Sequence, residues 1–394
     1  MATELISCKD QPEITRHKKI NGLLLEAYDM KTGYSGGTKD KYGNICFNKD
    51  RVSYRKVVED FLRTDVLDYV KRRDIRFSGT VHGVGSFFAG VSVSSNEADL
   101  LFMIDIEGAL EDCEELPGYA KYRLSGNSLE KWKDCTTSDG YLMSRKLATL
   151  FYHYVEEALE SKLRNNLTVS GTDITPKVCL TGIGTIASTL TVTYSTTAVI
   201  DIDLVVAVGC EGLPPLATAS WLEGKSAWPN SETVAKIRAS GFQLVSKAPY
   251  PLNEDEETTL WRISFSLAET MLFQDLDEHI NAYGLCTKIC FVLMKFYRLC
   301  FLAPLERIVT PVLKSYYLKV VMLFECQKYP DPAFWSSDKL AERFLSMYRQ
   351  LYKMIEEERM PEFFMPAVNI MTSPIPIRNS LKHLLDSPEE ALEA

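Results

Sequence analysis

AVIDIDLVVAV, residues 198–208, decides how this chain is read. Aliphatic and β-branched residues dominate it, as in a buried strand, and its two acids fall at alternate positions. Side chains alternate along a strand, so Asp201 and Asp203 lie on one face. A carboxylate isolated there would lose most of its solvation, so Asp201 needs a counter-charge. A metal ion supplies one most simply.

Two earlier stretches complete the pattern. In NEADLLFMIDI (residues 96–106), Glu97 and Asp99 project from one face, close enough to share a hard cation. An exposed strand end would read the same way. In HGVGSFFAG (residues 82–90), Gly85-Ser86 precedes an apolar turn that could start a helix and offer backbone N–H groups to a phosphate. No P-loop lysine follows, and a plain tight turn would look alike. Carboxylates from two adjacent strands can clamp two Mg²⁺ or Mn²⁺ ions about 4 Å apart, orienting a triphosphate and activating a hydroxyl. Together the three elements are far more specific than any one.

The remaining sequence bounds the setting. With 394 residues, 46% hydrophobic and 25% charged, the chain can build two lobes. No apolar run approaches the roughly 18 residues a membrane helix needs, and MATELISCKDQPEITRHKK lacks the apolar core of a secretory signal. The expected location is cytoplasmic, with no membrane partner. The ten cysteines show no paired spacing, so reduced thiols are expected. Cys286 and Cys290 sit one helical turn apart, but CTKICFVLMKFYRLC reads as a buried helix and no structural zinc is expected. A net charge of −9 argues against a protein coated with nucleic acid. The local exception is Arg51 to Arg76, carrying Arg51, Arg55, Lys56, Arg63, Lys71, Arg72, Arg73 and Arg76. By charge alone, a solvated helix face reads the same way.

Four regions follow. Residues 1–50 form an N-terminal extension with a flexible Gly-rich loop, Gly33 to Asn44. Residues 51–215 hold a long helix with Tyr54, Val58, Phe61, Leu62, Val66, Tyr69 and Val70 at helical spacing, then β-type runs. Those runs are FFAGVSVS, ADLLFMIDI, TLTVTYS and AVIDIDLVVAV, interrupted by a helix from Tyr141 to Leu163. Residues 216–375 read as a helical lobe and 376–394 as an acidic tail, whose last residues, LLDSPEEALEA, are expected to fray. The fold class is α+β: a mixed β-sheet catalytic lobe joined to a helical C-terminal lobe.

Gly85-Ser86, Glu97-x-Asp99 and Asp201 resemble the GS, E-x-D and D elements of the nucleotidyltransferases. KWKDC (Lys131 to Cys135), SWLEGKSAWP, WRISFSLAE, CFVLMKFY, SYYLKVVMLF and EFFMPAVNIM are similar to the Mab-twenty-one family, and within it to the cyclic GMP-AMP synthase-like receptors. The resemblance implies a bilobal enzyme of innate immunity that makes a cyclic dinucleotide from ATP and GTP. Glu97, Asp99 and Asp201 would hold the metals, and Ser86 would touch the triphosphate. Arg262, Ser264 and Ser266 would approach base or phosphate, Lys295 and Ser315 would contact phosphates, and Tyr316 would stack on a base. Without the resemblance, Arg262 pairing with an acid, Lys295 snorkelling from a buried helix and Tyr316 sitting in the core would each suffice. Double-stranded RNA is the first expectation for an activating ligand and double-stranded DNA the second, on a chain that is monomeric without ligand and can dimerise with it. Two departures stand out. FQDLDEHINAYGL lacks the adjacent cysteines of the vertebrate zinc thumb, and position 203 is Asp where the vertebrate enzyme has Thr. A non-catalytic family scaffold is the alternative.

Overall fold

The computed structural model describes residues 11–32, 38–39, 45–46, 60, 62–93, 97–163, 177–183, 188–193, 199–247, 258–280, 286–302, 313–375 and 377–393. The chain divides into two compact units: residues 38–219 with 232–273, and residues 1–37 with 220–231 and 274–394. The fold is mixed α/β, a sheet unit and a helical unit, as the sequence predicts. Residues 232–273, which the sequence reading places in the C-terminal lobe, cluster with the sheet.

Numbered along the chain, α1 (Gln11–Thr32) belongs to the helical unit. The sheet unit holds α2 (Leu67–Arg73), β1 (Gly79–Val84), α3 (Gly85–Phe88), β2 (Glu97–Ile104), β3 (Gly108–Asp112), β4 (Tyr119–Leu124), α4 (Gly126–Lys131) and α5 (Ser144–Leu163). It continues with β5 (Lys177–Ile183), β6 (Ser188–Thr193), β7 (Val199–Cys210), α6 (Ser231–Ser240), β8 (Phe242–Val245), β9 (Leu260–Ser264) and the start of α7 (Ser266–Ile280). The nine strands form one sheet in the order β1-β2-β7-β8-β9-β4-β3, with β6 also paired to β7 and β5 to β6. Among these pairs only β2 and β7 run parallel.

One face of the sheet is a closed core. Leu100, Phe102 and Ile104 on β2 and Ile202, Leu204, Val206 and Val208 on β7 are all at most 2% exposed. Helix α5 covers them because Leu147, Phe151, Val155, Ala158 and Leu159 recur at helical spacing. Phe151 stacks on Phe102 at 5.2 Å between ring centroids, and Phe77 joins it at 5.6 Å. Burying aromatic rings in pairs of this kind adds about 0.5–1.5 kcal/mol to their area term.

Two sequence expectations change here. FFAGVSVS is not a strand among the described residues: Phe87 and Phe88 lie in α3, and Ala89 and Gly90 turn out of it. Gly85, at φ 77°, sets the turn that starts this helix, which overrides the β preference of the residues after it. The tail expected to fray instead forms α11 (Arg378–Asp386) and α12 (Pro388–Glu393) in the helical unit. Its Leu381 and Leu384 are buried, and its acids pair with α1: Arg16 with Glu389 at 3.0 Å and Lys19 with Glu393 at 2.8 Å. Of the Gly-rich segment only Thr38–Lys39 is described, laddered with Ile45–Cys46, so its expected flexibility lies outside the described residues.

The helical unit also holds α8 (Cys286–Tyr297), α9 (Ser315–Lys328) and α10 (Leu340–Glu356). Cys286 and Cys290 touch at 3.8 Å between sulfurs in the core, and burial pushes the Cys290 thiol well up. These cysteines pack as small apolar groups.

Arg76 ties the segment after α2 to the sheet unit. It pairs with Asp74 at 2.7 Å and Asp134 at 2.5 Å, over the Trp132 ring at 4.6 Å. Burial works upward on the Asp74 carboxyl, yet hydrogen bonds from Arg76 outweigh it and hold it low; for Asp134 the Arg76 hydrogen bond leads. Both folded values lie below the unfolded ones. Their contribution to stability is therefore complete above the ordinary aspartate value of about 4 and is lost as pH falls through the lowered folded values. Arg76→Gln is expected to flatten that acid loss, measured as melting temperature against pH.

Candidate active site

The other face of the same two strands carries the acids. β2 and β7 pair in parallel with Glu97 opposite Asp201 and Asp99 opposite Asp203, so all four carboxylates share one face. Neighbouring strands lie about 4.8 Å apart, which sets the spacing of each opposed pair. Asp99, Asp201 and Asp203 are half-buried and Glu97 is exposed. Asp201 is thus not the isolated buried charge the sequence suggests: alternation turns it away from the closed core. It also has a donor, since the Thr191 hydroxyl gives it a hydrogen bond of 2.6 Å. Thr189 does the same for Asp203, also at 2.6 Å.

Gly85 and Asp99 meet closely. A Cβ on Gly85 would fall 1.9 Å from Asp99 Oδ2, so only glycine lets the β1–α3 turn press against that carboxylate. Ser86 follows within α3. Gly85 of the GS stretch and Asp99 of the E-x-D stretch are therefore neighbours.

Carboxylate oxygens on a half-open face are the donor set a hard divalent cation takes. Among the described residues, however, no three His, Cys, Asp or Glu side chains converge on one point that could hold a metal ion. The backbone brings Glu97, Asp99 and Asp201 together on one face, with Asp99 against Gly85 and Asp201 bonded to Thr191.

Beyond the acids the same face continues as an apolar floor of Val84, Leu101, Ala207 and Val245, with Met103, Val205 and Leu267 against it. Arg262 lies past this floor on the same face, because it is opposite Val245, which is opposite Ala207. Next to it, burial raises the Tyr119 phenol and the Arg262 charge pulls it back. Ser264 is on this face too. It accepts from Ser266 N and donates to Ser266 Oγ, each at 3.4 Å, so the two serines help to start α7. Strand spacing and rise put Arg262 roughly 16 Å from Asp203 between Cα atoms, a span that a nucleoside triphosphate with an arginine side chain can bridge.

Lys295, Ser315 and Tyr316 belong to the helical unit. Lys295 is 6% exposed, with its ammonium 5.3 Å from the Phe291 ring. Ser315 is exposed at the first position of α9, and Tyr316 donates its hydroxyl to Glu362 at 3.3 Å. Of the basic face, Arg51, Arg55 and Lys56 lie outside the described residues. Arg63 donates to the Val81 carbonyl at 3.0 Å, and Arg73 pairs with Glu157 at 3.0 Å. Lys71 and Arg72 are exposed on α2.

Thr189 and Thr191 were not singled out from the sequence. The available signal was alternation in STLTVT (residues 188–193), which puts Thr189, Thr191 and Thr193 on one side of a strand.

Comparison with known proteins identifies the family of both units. Residues 92–275 match the Mab-21 protein nucleotidyltransferase domain and residues 286–384 the Mab-21 protein HhH/H2TH-like domain. The chain belongs to the Mab-21 family and carries its nucleotidyltransferase domain. It is similar to a protein mab-21-like of Drosophila melanogaster, 25% identical over 324 residues, which are 79% of this chain and 80% of the relative. One from Aedes aegypti is 26% identical over 343 residues, 84% of each chain, and one from Anopheles gambiae 25% over 368 residues, 91% of each.

Gly85→Ala is expected to force Asp99 aside and to cost about 1–2 kcal/mol from its left-handed backbone alone. Urea unfolding checks the stability, and nucleotide binding checks the displacement.

Proposed function

We propose that the chain transfers nucleotidyl groups from ATP and GTP and closes them into a cyclic dinucleotide. The observation that carries this reading is the register of β2 against β7, which sets Glu97 beside Asp201 and Asp99 beside Asp203 on a face with an apolar floor and a distant arginine. Glu97, Asp99 and Asp201 would hold two Mg²⁺ or Mn²⁺ ions, which when bound align the triphosphate and favour ionisation of the attacking ribose hydroxyl.

The chain's own residues divide the remaining work. Ser86 would donate its hydroxyl to a phosphate oxygen, held in place by the turn that Gly85 permits. The floor of Leu101, Val205, Ala207 and Val245 would exclude water beneath the nucleotide. Arg262 would neutralise a phosphate or hydrogen-bond a base edge at the far end. Asp203, a fourth carboxylate, would accept from amino or imino groups of a base. Lys295, Ser315 and Tyr316, in the helical unit, would serve the donor nucleotide by the family pattern alone.

Activation by double-stranded RNA, or secondly by double-stranded DNA, belongs to the same proposal. Exposed Lys71 and Arg72 on α2 support it, and binding weakened by added salt would report their phosphate contacts. A second reading, a non-catalytic nucleotide-binding scaffold, is favoured by one observation: three carboxylates do not converge in this structure.

Incubation with labelled ATP and GTP, Mg²⁺ or Mn²⁺, and RNA or DNA distinguishes these readings. The expected outcome is pyrophosphate release and a cyclic product on chromatography. Asp201→Asn should lower the rate at least about a hundredfold, the scale of losing several kcal/mol of charge stabilisation at a metal. No pyrophosphate under any combination would establish the scaffold, and equal rates for wild type and variant would displace the acids from catalysis.

A further inference from the structure

We propose that the threonine hydroxyls of β6 are positioning residues that aim the two β7 carboxylates and so set the cation affinity of the acid face. This rests on the reading of Glu97, Asp99 and Asp201 as cation ligands. β6 runs antiparallel to β7 with Thr191 opposite Asp201 and Thr189 opposite Asp203, and each hydroxyl donates to Oδ1 of its partner at 2.6 Å. A carboxylate is planar, so a short bond to one oxygen fixes the direction of the other. A bond from a neighbouring strand holds that direction more firmly than the acid's own rotamer preference does, and the groups orienting metal ligands set affinity nearly as strongly as the ligands themselves.

Asp201 and Asp203 each accept from a threonine of β6, while Asp99 lies against the Gly85 turn. The third outward threonine of that strand, Thr193, is opposite Val199 and has no acid to aim. It provides an internal control: the same residue type, on the same face of the same strand.

The test measures Mn²⁺ affinity of the full chain from the loss of the free-ion paramagnetic resonance signal, with melting temperatures alongside. Thr191→Val, nearly isosteric and a good strand former, is expected to stay folded, with a lower melting temperature from the lost hydrogen bond, and to bind Mn²⁺ about 10- to 100-fold more weakly. Thr189→Val should weaken binding in the same direction. Thr191→Ser, which restores the hydroxyl, and Thr193→Val should both bind near wild type. Asp201→Asn should lose binding. The inference is overturned if Thr191→Val binds like wild type while Asp201→Asn does not, which leaves the acids standing as ligands. It is also overturned if Thr191→Ser or Thr193→Val is as weak as Thr191→Val, since the loss would then come from the strand itself. Absence of Mn²⁺ binding by wild type, or unchanged binding by Asp201→Asn, would remove the ligand reading and this inference together.

Discussion

The parallel pairing of β2 with β7 is the constraint on which the rest of the sheet unit depends. Parallel neighbours cannot be joined by a tight turn. Helix α5 and the β5–β6 hairpin occupy the long connection between them: α5 seals one face, and β6 returns to flank β7 on its outer side. Two demands pin the register. Even positions of β2 and β7 must reach the core under α5, and odd positions must keep carboxylates near water. A slip of one residue would turn over the strand that slips, sending either Asp99 or Asp201 and Asp203 into the core and Phe102 or Leu204 out of it. Burying the charges and exposing the apolar side chains would both be unfavourable, so one-residue slips are excluded.

That constraint explains why the acids were legible. Alternation is a local property, so NEADLLFMIDI and AVIDIDLVVAV show which side chains share a face without any knowledge of neighbours. Helices α5 and α7 to α10 were legible for the same reason at a period of 3.6. What could not be read was pairing. FQLV in β8 and LWRIS in β9 are too short to announce themselves, yet they carry the floor across to Arg262. FFAGVSVS misled because side-chain preference favours a strand, while the backbone of Gly85 dictates a helical turn. Charge counting cannot see partners elsewhere in the chain. The acidic tail has its counter-charges on Arg16 and Lys19 of α1, hundreds of residues earlier, and the basic stretch spends Arg63, Arg73 and Arg76 on partners within the chain. Burial at Asp201 was overestimated because composition describes a whole strand, whereas solvation acts on one face of it.

The acid face also carries an electrostatic cost that shapes how it must be built. Like charges directly opposite each other on paired strands destabilise the pairing, and here two such pairs lie side by side. The closed core behind them supplies the compensation, through the stacked Phe102 and Phe151 and the fully buried aliphatic side chains of β7. Hydroxyl donors to charged acceptors offset more of it, at about 1.5–3 kcal/mol for a bond of this type. The Thr189 and Thr191 donors come from β6, and on the β2 side Gly85 lies against Asp99. A cation drawn to these acids would therefore meet, on β7, a pair of carboxylates whose direction the β6 hydroxyls have already set.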